Sequence, residues 1–317
     1  VRLCAVSVDL DEIPNYFAIH GLPEPTGSAR TLVYDVAFDR LLALARELGI
    51  PLTLFAIGQD LARAASAAKL RAAHGRGFEI ANHSLDHRYD LVRLGRTEIR
   101  RQVEEGARAI ARATGVAPVG FRAPGYTVSD ELFDVLGELG VAYDSSVFPC
   151  PGYWMAKTLA IALIRARGRT SRSIVDTPRV LTAPTQPYRV GRPYWHPGPG
   201  MLEIPVQVTR GPRLPVFGTT LTLHGAPFAR WLARACVGQP MINLELHGID
   251  VLDAADGLEG LRSHQPDVRV DHAHKLARLR AAVDVLQGAG YTFVTLQAAA
   301  RELVAQMDAG SRSKPRA

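Results

Sequence analysis

"FEIANHSLDHRYD", residues 78–90, runs from an apolar segment straight into two histidines four apart. Phe78 to Ala81 reads as the end of a buried strand. His83 and His87, at i and i+4, would share one face of a helical turn, where both imidazoles could reach one metal ion. A strand that hands polar residues to the loop after it fits a β/α fold, in which chemistry collects at strand ends.

The flanking sequence repeats the pattern. Residues 3–8 read as a buried strand ending at Asp9, and residues 51–58 as another. "FDRLLALARELGI" (38–50) has helical period, with Gly49 placed as a C-cap. Helices are expected over 60–77 and 97–115, and "SDELFDVLGELG" (129–140) opens on an acidic N-terminus. "PVGFRAPG" (118–125) and "VAYDSSVF" (141–148) read as strands with their loops. After an irregular stretch the alternation resumes, with a strand at 241–250, a helix at 274–290, a strand at 291–297 and a helix at 298–307. Such alternation predicts parallel β/α units. Polar clusters fall at five strand ends: Asp9/Asp11, His83/His87, Arg122, Asp144 and His247. One strand-end aspartate or buried histidine is usually structural, but five clusters on one alternating chain point to a site.

The 317 residues suffice for one large α/β domain or two small ones. The net charge of +6 is carried almost wholly by arginine, with lysine only at 69, 157, 275 and 314. The charge is dispersed and no recognition motif accompanies it, so no nucleic-acid partner is expected. Cys4, Cys150 and Cys236 are odd in number and far apart, which argues against a disulfide framework and for a reducing, cytoplasmic setting. No leader-like run opens the sequence, and no apolar run reaches the roughly 20 residues of a membrane span. The expected organisation is one domain over 1–307, an insertion at about 150–235 rich in Pro, Gly, Arg and aromatics, and a flexible tail at 308–317.

Five motifs, in order, give the chain a family resemblance: "SVDLDE" (7–12), "HSLDH" (83–87), "RAPGY" (122–126), "DSS" (144–146) and "LELHG" (244–248). Together they resemble the polysaccharide deacetylase family, the NodB-homology domain of carbohydrate esterase family 4, over residues 3 to 300. "HSxxH" followed by "RAPxY" is a specific pair; "DSS" alone is not. The resemblance implies an α/β fold, a distorted (β/α) barrel of the NodB-homology type, carrying the irregular insertion. It also implies a hydrolase that removes an acyl group from an amide with one divalent metal held by one Asp and two His. Three departures stand out. Asp9 and Asp11 are separated by Leu10, a spacing similar to that of formamido-arabinose deformylases and export-locus deacetylases. Arg88 follows His87 where many members have Pro, and Gly248 follows His247 where others have Asp.

Carried onto this chain, the resemblance gives Asp11, His83 and His87 as metal ligands, with Glu12 in reserve. Zinc is the expected ion, and Co, Ni or Mn suit the same donors. Asp9 would be the general base, held ionised and oriented by Arg122. His247 would be the general acid, with Asp144 fixing its charge and tautomer, although Asp144 reads equally as a turn cap. Gly125 would offer its N–H to the oxyanion, beside Tyr126. Trp195 and His196 would wall the substrate groove or simply pack. Asp86 reads as an exposed loop carboxylate, and Asp271 as a helix cap.

Two stretches of the insertion read as helices that either pack on the barrel or lie in a membrane interface. In 153–172 apolar residues precede Arg165, Arg167 and Arg169; in 228–236 Phe228, Trp231, Leu232 and Ala235 share a helical face. The expected partner is thus an N-acetylated or N-formylated amino sugar, carried on a lipid if the enzyme meets the inner face of the membrane. The rival readings are an allantoinase-like amidohydrolase on a non-sugar amide or ureide, and a catalytically silent carbohydrate-binding domain.

Overall fold

A computed structural model describes residues 2–312. The strands are β1 (Leu3–Asp9), β2 (Leu52–Ala56), β3 (Glu79–Asn82), β4 (Gly120–Phe121), β5 (Tyr143–Asp144), β6 (Tyr188–Val190), β7 (Pro197–Glu203), β8 (Met241–His247) and β9 (Thr292–Phe293). The α-helices are α1 (Ile13–Ile19), α2 (Phe38–Leu48), α3 (Ala64–His74), α4 (Arg96–Thr114), α5 (Asp130–Glu138), α6 (Pro151–Ala166), α7 (Gly218–Leu223), α8 (Ala226–Cys236), α9 (His272–Gly288) and α10 (Leu296–Arg312). The predicted tail therefore begins as helix, and its residues past Arg312 lie outside those described.

The strands form one curled sheet in the order β6-β7-β5-β4-β3-β2-β1-β8, with β9 also on β1. Every pairing is parallel except β6 with β7. This is the barrel architecture expected from the alternation. All seven residues of β1 are buried, as a strand covered on both faces requires. Helix α2 stops where the sequence said it would. Gly49 takes φ 65°, and its N–H bonds the Ala45 carbonyl, a conformation in which a Cβ would be strained. Ser129 caps α5 by accepting the Leu132 N–H.

Register brings the functional strand ends to one edge. Asp9 lies beside Phe55 and His247, Asn82 beside Phe121, and Phe121 beside Asp144. The open side of the sheet, between β8 and the segment that follows β7, is bridged largely by side chains. Asn243 Nδ2 donates to Ser145 Oγ at 2.9 Å, the Asn243 N–H donates to Gln207 Oε1 at 3.1 Å, and Gln207 bonds Gln239. Buried amide side chains there satisfy groups that a continuous ladder would otherwise pair.

The stretch at 150–235 is less irregular than its composition. β7 pairs parallel with β5, Tyr143 beside Leu202 and Asp144 beside Glu203, so it is a strand of the barrel. Pro197, Gly198, Pro199 and Gly200 at its start remove the apolar run that marks the other strands. Trp154 on α6 turns inward and donates Nε1–H to the Asp176 carbonyl at 2.9 Å. On α8 the expected single face is split: Leu232 is buried with Ala229, Ala233 and Cys236, whereas Phe228 and Trp231 are exposed. Among the described residues no helix is long and apolar enough to cross a membrane.

Candidate active site

His83 and His87 do converge, but not on a helical turn. His83 follows β3, and the loop turns back through Ser84 (φ 69°) and His87 (φ 55°). Ser84 Oγ accepts the His87 N–H at 3.1 Å and closes the turn. The two Nε2 atoms end 3.2 Å apart. Asp11 faces both, with Oδ1 3.3 Å from His83 Nε2 and Oδ2 3.1 Å from His87 Nε2. These three side chains form a buried group of ligand atoms within 4.8 Å of one another.

The donor set fits a divalent cation. His83 Nδ1 lies 2.8 Å from the Arg122 carbonyl, so Nδ1 carries the proton and Nε2 presents a lone pair to the cluster. Asp11 Oδ1 is buried without a hydrogen-bond donor. Burial alone would raise the Asp11 carboxyl, but the imidazoles of His87 and His83 outweigh it and hold it well below the usual range. Two nitrogens and a carboxylate with room beside them are a catalytic-type donor set, which suits zinc and tolerates Co, Ni or Mn. Glu12 does not join them. Its carboxylate accepts the N–H groups of Val33 and Tyr34 at 3.0 and 3.1 Å, and burial pushes it up to about 7.

Asp9 ends β1 and forms an ion pair with Arg122, Oδ1 to Nη1 at 2.6 Å. Arg122 is fully buried and anchored on every side. Nε donates to the Ser145 carbonyl at 2.7 Å, Nη2 to Ser7 Oγ and Ser145 Oγ at 2.9 Å each, and the guanidinium lies 4.1 Å from the Phe55 ring centre. A bonded, stacked guanidinium leaves Asp9 a single orientation. Its free oxygen, Oδ2, lies 3.7 Å from His83 Nε2 and 4.0 Å from His247 Nε2.

His247 ends β8 on the other side of Asp9. The carboxylate expected beside it was Asp144; the structure puts Glu245 there, with Oε1 2.9 Å from His247 Nδ1. Burial would lower the imidazole, yet Glu245, with Asp9 and Asp11, keeps it well above its ordinary value. Asp144 instead accepts the Ser146 hydroxyl at 2.8 Å, and Ser146 Oγ accepts the Ala123 N–H at 2.7 Å. It thus braces the Arg122 loop through Ser146 and touches His247 nowhere. Burial raises its carboxyl, and that of neighbouring Glu203 still more.

A cavity of about 330 Å³ opens on Asp9, Asp11 and His247. Gly125 and Tyr126 line it, both at positive φ. A Cβ on Gly125 would lie 2.8 Å from Tyr89, so the close approach demands glycine. The Tyr126 hydroxyl is 3.3 Å from His247 Nε2. Tyr16, Tyr89, Tyr153, Lys157 and Phe217 also line it, and no motif singles them out. Lys157 Nζ donates to the Gly125 carbonyl at 2.7 Å and steadies that loop. Trp195 is not part of this cavity. It packs edge-on against Tyr194, with the Arg179 guanidinium 5.6 Å from its ring centre, and His196 stays beside it. Asp86 is half-buried rather than exposed. The Asp271 side chain makes no cap bond; Asp253 accepts the His272 N–H at 2.7 Å in its place.

Inside the barrel, a cluster of three donors able to hold a metal ion is flanked by a carboxylate and an imidazole, an arrangement suited to metal-assisted hydrolysis. The polysaccharide deacetylase family model matches residues 32–143, which take in His83, His87 and Arg122 but neither Asp9, Asp11 nor His247. No curated protein matches the sequence. Among solved structures, a putative polysaccharide deacetylase from Mycobacterium smegmatis superposes with TM-score 0.60 at 20% identity, over 100% of this chain and 93% of its own. A family 4 carbohydrate esterase pseudoenzyme from Bacillus anthracis gives 0.50 at 11%, over 93% and 64%. A family 4 carbohydrate esterase from Streptomyces lividans, in complex with acetate, gives 0.48 at 15%, over 92% and 91%. These findings bear out the resemblance read from the five motifs: residues 32–143 match the polysaccharide deacetylase model, and the chain shares the fold of a putative polysaccharide deacetylase.

Proposed function

We propose that the protein removes an N-acetyl or N-formyl group from an amino sugar carried on a lipid, with zinc at Asp11, His83 and His87. The observation that carries this is the arrangement around the ligand cluster. Asp9, locked by Arg122, stands on one side, and His247, backed by Glu245, stands on the other. A divalent ion, when bound, polarises the amide carbonyl and makes water more acidic. Asp9 Oδ2 takes the proton from the attacking water as the new C–O bond forms. The Gly125 N–H receives the negative charge that develops on the carbonyl oxygen. His247 delivers its Nε2 proton to the nitrogen as the C–N bond breaks, leaving a free amine and acetate or formate. Tyr126 fixes the direction of that proton.

The lipid part rests on the apolar share of the cavity wall, to which Ile19, Ala156, Ala160, Ile161, Ile164 and Ile249 contribute. Such an apolar wall is more than a sugar needs. We place the enzyme at the cytoplasmic face of the membrane, in keeping with three buried, unpaired cysteines. Residues 1–307 act as one domain in this reading. A silent binding domain would have no use for a buried Asp9–Arg122 pair facing a histidine of raised pKa.

The test compares release of acetate and of formate from lipid-linked and water-soluble N-acyl amino sugars, and from a ureide. Asp9→Asn and His247→Asn should each lower kcat by about 10²–10⁴ with metal retained. A substrate with a good leaving group should rescue His247→Asn more than Asp9→Asn. Equal rescue would mean that acid and base are misassigned, and turnover of the ureide alone would overturn the sugar substrate.

A further inference from the structure

Helix α6 has apolar residues on two adjoining faces. Ala156, Ala160, Ile161 and Ile164 face the catalytic cavity. Met155, Leu159 and Leu163, spaced four apart and so stacked in one row, face outward and are 63%, 61% and 46% exposed. They are three of the six exposed large hydrophobic side chains among the described residues. A surface helix normally turns polar residues to water. The chain after the row carries Arg165, Arg167, Arg169 and Arg172, and none of them forms an ion pair among the described residues. Arg169 reaches only the His264 ring, at 3.1 Å. Some arginines elsewhere pair with carboxylates, as Arg63 does with Asp35 and Arg88 with Asp90, and others, such as Arg230 and Arg234, form no ion pair among the described residues. An apolar row continued by unpaired arginines complements a surface whose outer layer is anionic and whose interior is apolar.

We propose that the outer face of α6 docks on an anionic membrane surface, Met155, Leu159 and Leu163 entering the acyl boundary and the arginines meeting lipid phosphates. This rests on the lipid-carried substrate proposed above and adds the route. The same helix lines the cavity, so docking brings the cavity's apolar wall to the bilayer, and a lipid-borne amino sugar reaches Asp9 and His247 without leaving it. Helix α8 is not part of the surface, because its buried face packs on the barrel and only Phe228 and Trp231 protrude.

The experiment is flotation of the full chain with vesicles of phosphatidylcholine alone and of phosphatidylcholine with phosphatidylglycerol in equal parts. Wild type should float with the anionic vesicles at low salt. Salt should weaken this, since exposed charges are screened within about 8 Å at physiological ionic strength. The triple variant Met155→Ser, Leu159→Ser, Leu163→Ser and the triple variant Arg165→Ser, Arg167→Ser, Arg169→Ser should each lower the floated fraction at least tenfold. Phe228→Ser with Trp231→Ser should float like wild type. Both α6 variants should keep wild-type turnover of a water-soluble N-acyl amino sugar, because none of the changed residues belongs to the catalytic machinery. Wild type that stays soluble, or an apolar-row variant that floats unchanged, overturns the docking surface. So does sedimentation showing a dimer that the row variant abolishes, which would make the face a contact between copies. Turnover on the soluble sugar is read separately, so its failure would sink the proposed reaction without touching the docking result.

Discussion

Glu245 and His247 stand two apart on β8, so their side chains share one face of the strand. That alternation was present in "LELHG", yet the family pattern drew attention to Asp144, which the fold sends to brace the Arg122 loop. The consequence is a pH effect with a definite sign. In the proposed reaction His247 must be protonated to act as the acid, and Glu245 is the largest influence raising it against burial. The active form therefore exists below the folded pKa of His247, and turnover falls as pH rises through it. Glu245→Gln removes the charge but not the burial, so the alkaline limb of the kcat–pH profile should move to lower pH. An unmoved limb would mean that another group controls the proton. Asp9→Asn also strands the buried Arg122 charge, and breaking such a pair costs about 3–5 kcal/mol. A denaturant titration should show that loss for Asp9→Asn, and a loss for His247→Asn as well, because Glu245 is fully buried against His247.

At the scale of elements, helix α2 with its Gly49 stop and the succession of buried strands were legible because local periodicity and caps decide them. The turn between the two histidines was not. Spacing of four is shared by a helical turn and by a loop that reverses through positive φ, and sequence alone favours the helix. The loop is held by the bond from the His87 N–H to Ser84 Oγ. Ser84→Ala should leave the fold intact but loosen His87, lowering zinc affinity by about 10- to 100-fold, as lost outer contacts of metal ligands do. Competition with a chromophoric chelator measures it, and unchanged affinity would show that packing alone positions the loop. β7 was hidden for the opposite reason: its Pro and Gly residues deny the apolar pattern, and only pairing with β5 makes it a strand.

For the whole molecule, the alternation of strands and helices was enough to foresee a barrel, and the motifs enough to point to Asp9, Asp11, His83, His87, Arg122 and His247, which the fold gathers. What sequence could not supply is the set of long-range contacts that close it. Asp9 meets Arg122 113 residues away, and Ser145 meets Asn243 98 residues away. Asp11 lies on the loop after the first strand and His83 and His87 after the third, so their site exists only in the folded chain. A metal that binds there must stabilise folding. At a free concentration 100 times Kd the gain is about 2.7 kcal/mol. For a chain of this size that raises Tm by a few degrees, reversibly with a chelator. His83→Ala should lose the shift and melt at the same temperature with and without zinc. His272→Ala should keep it, although Asp253, Asp256 and His272 also gather three donor atoms. In that second group Asp256 is already taken up by Arg40, Oδ2 to Nη1 at 2.6 Å, and Asp253 by the start of α9. If His83→Ala still gains stability from zinc and His272→Ala does not, the resident ion belongs to the outer cluster. The Asp11–His83–His87 group would then have to work without it.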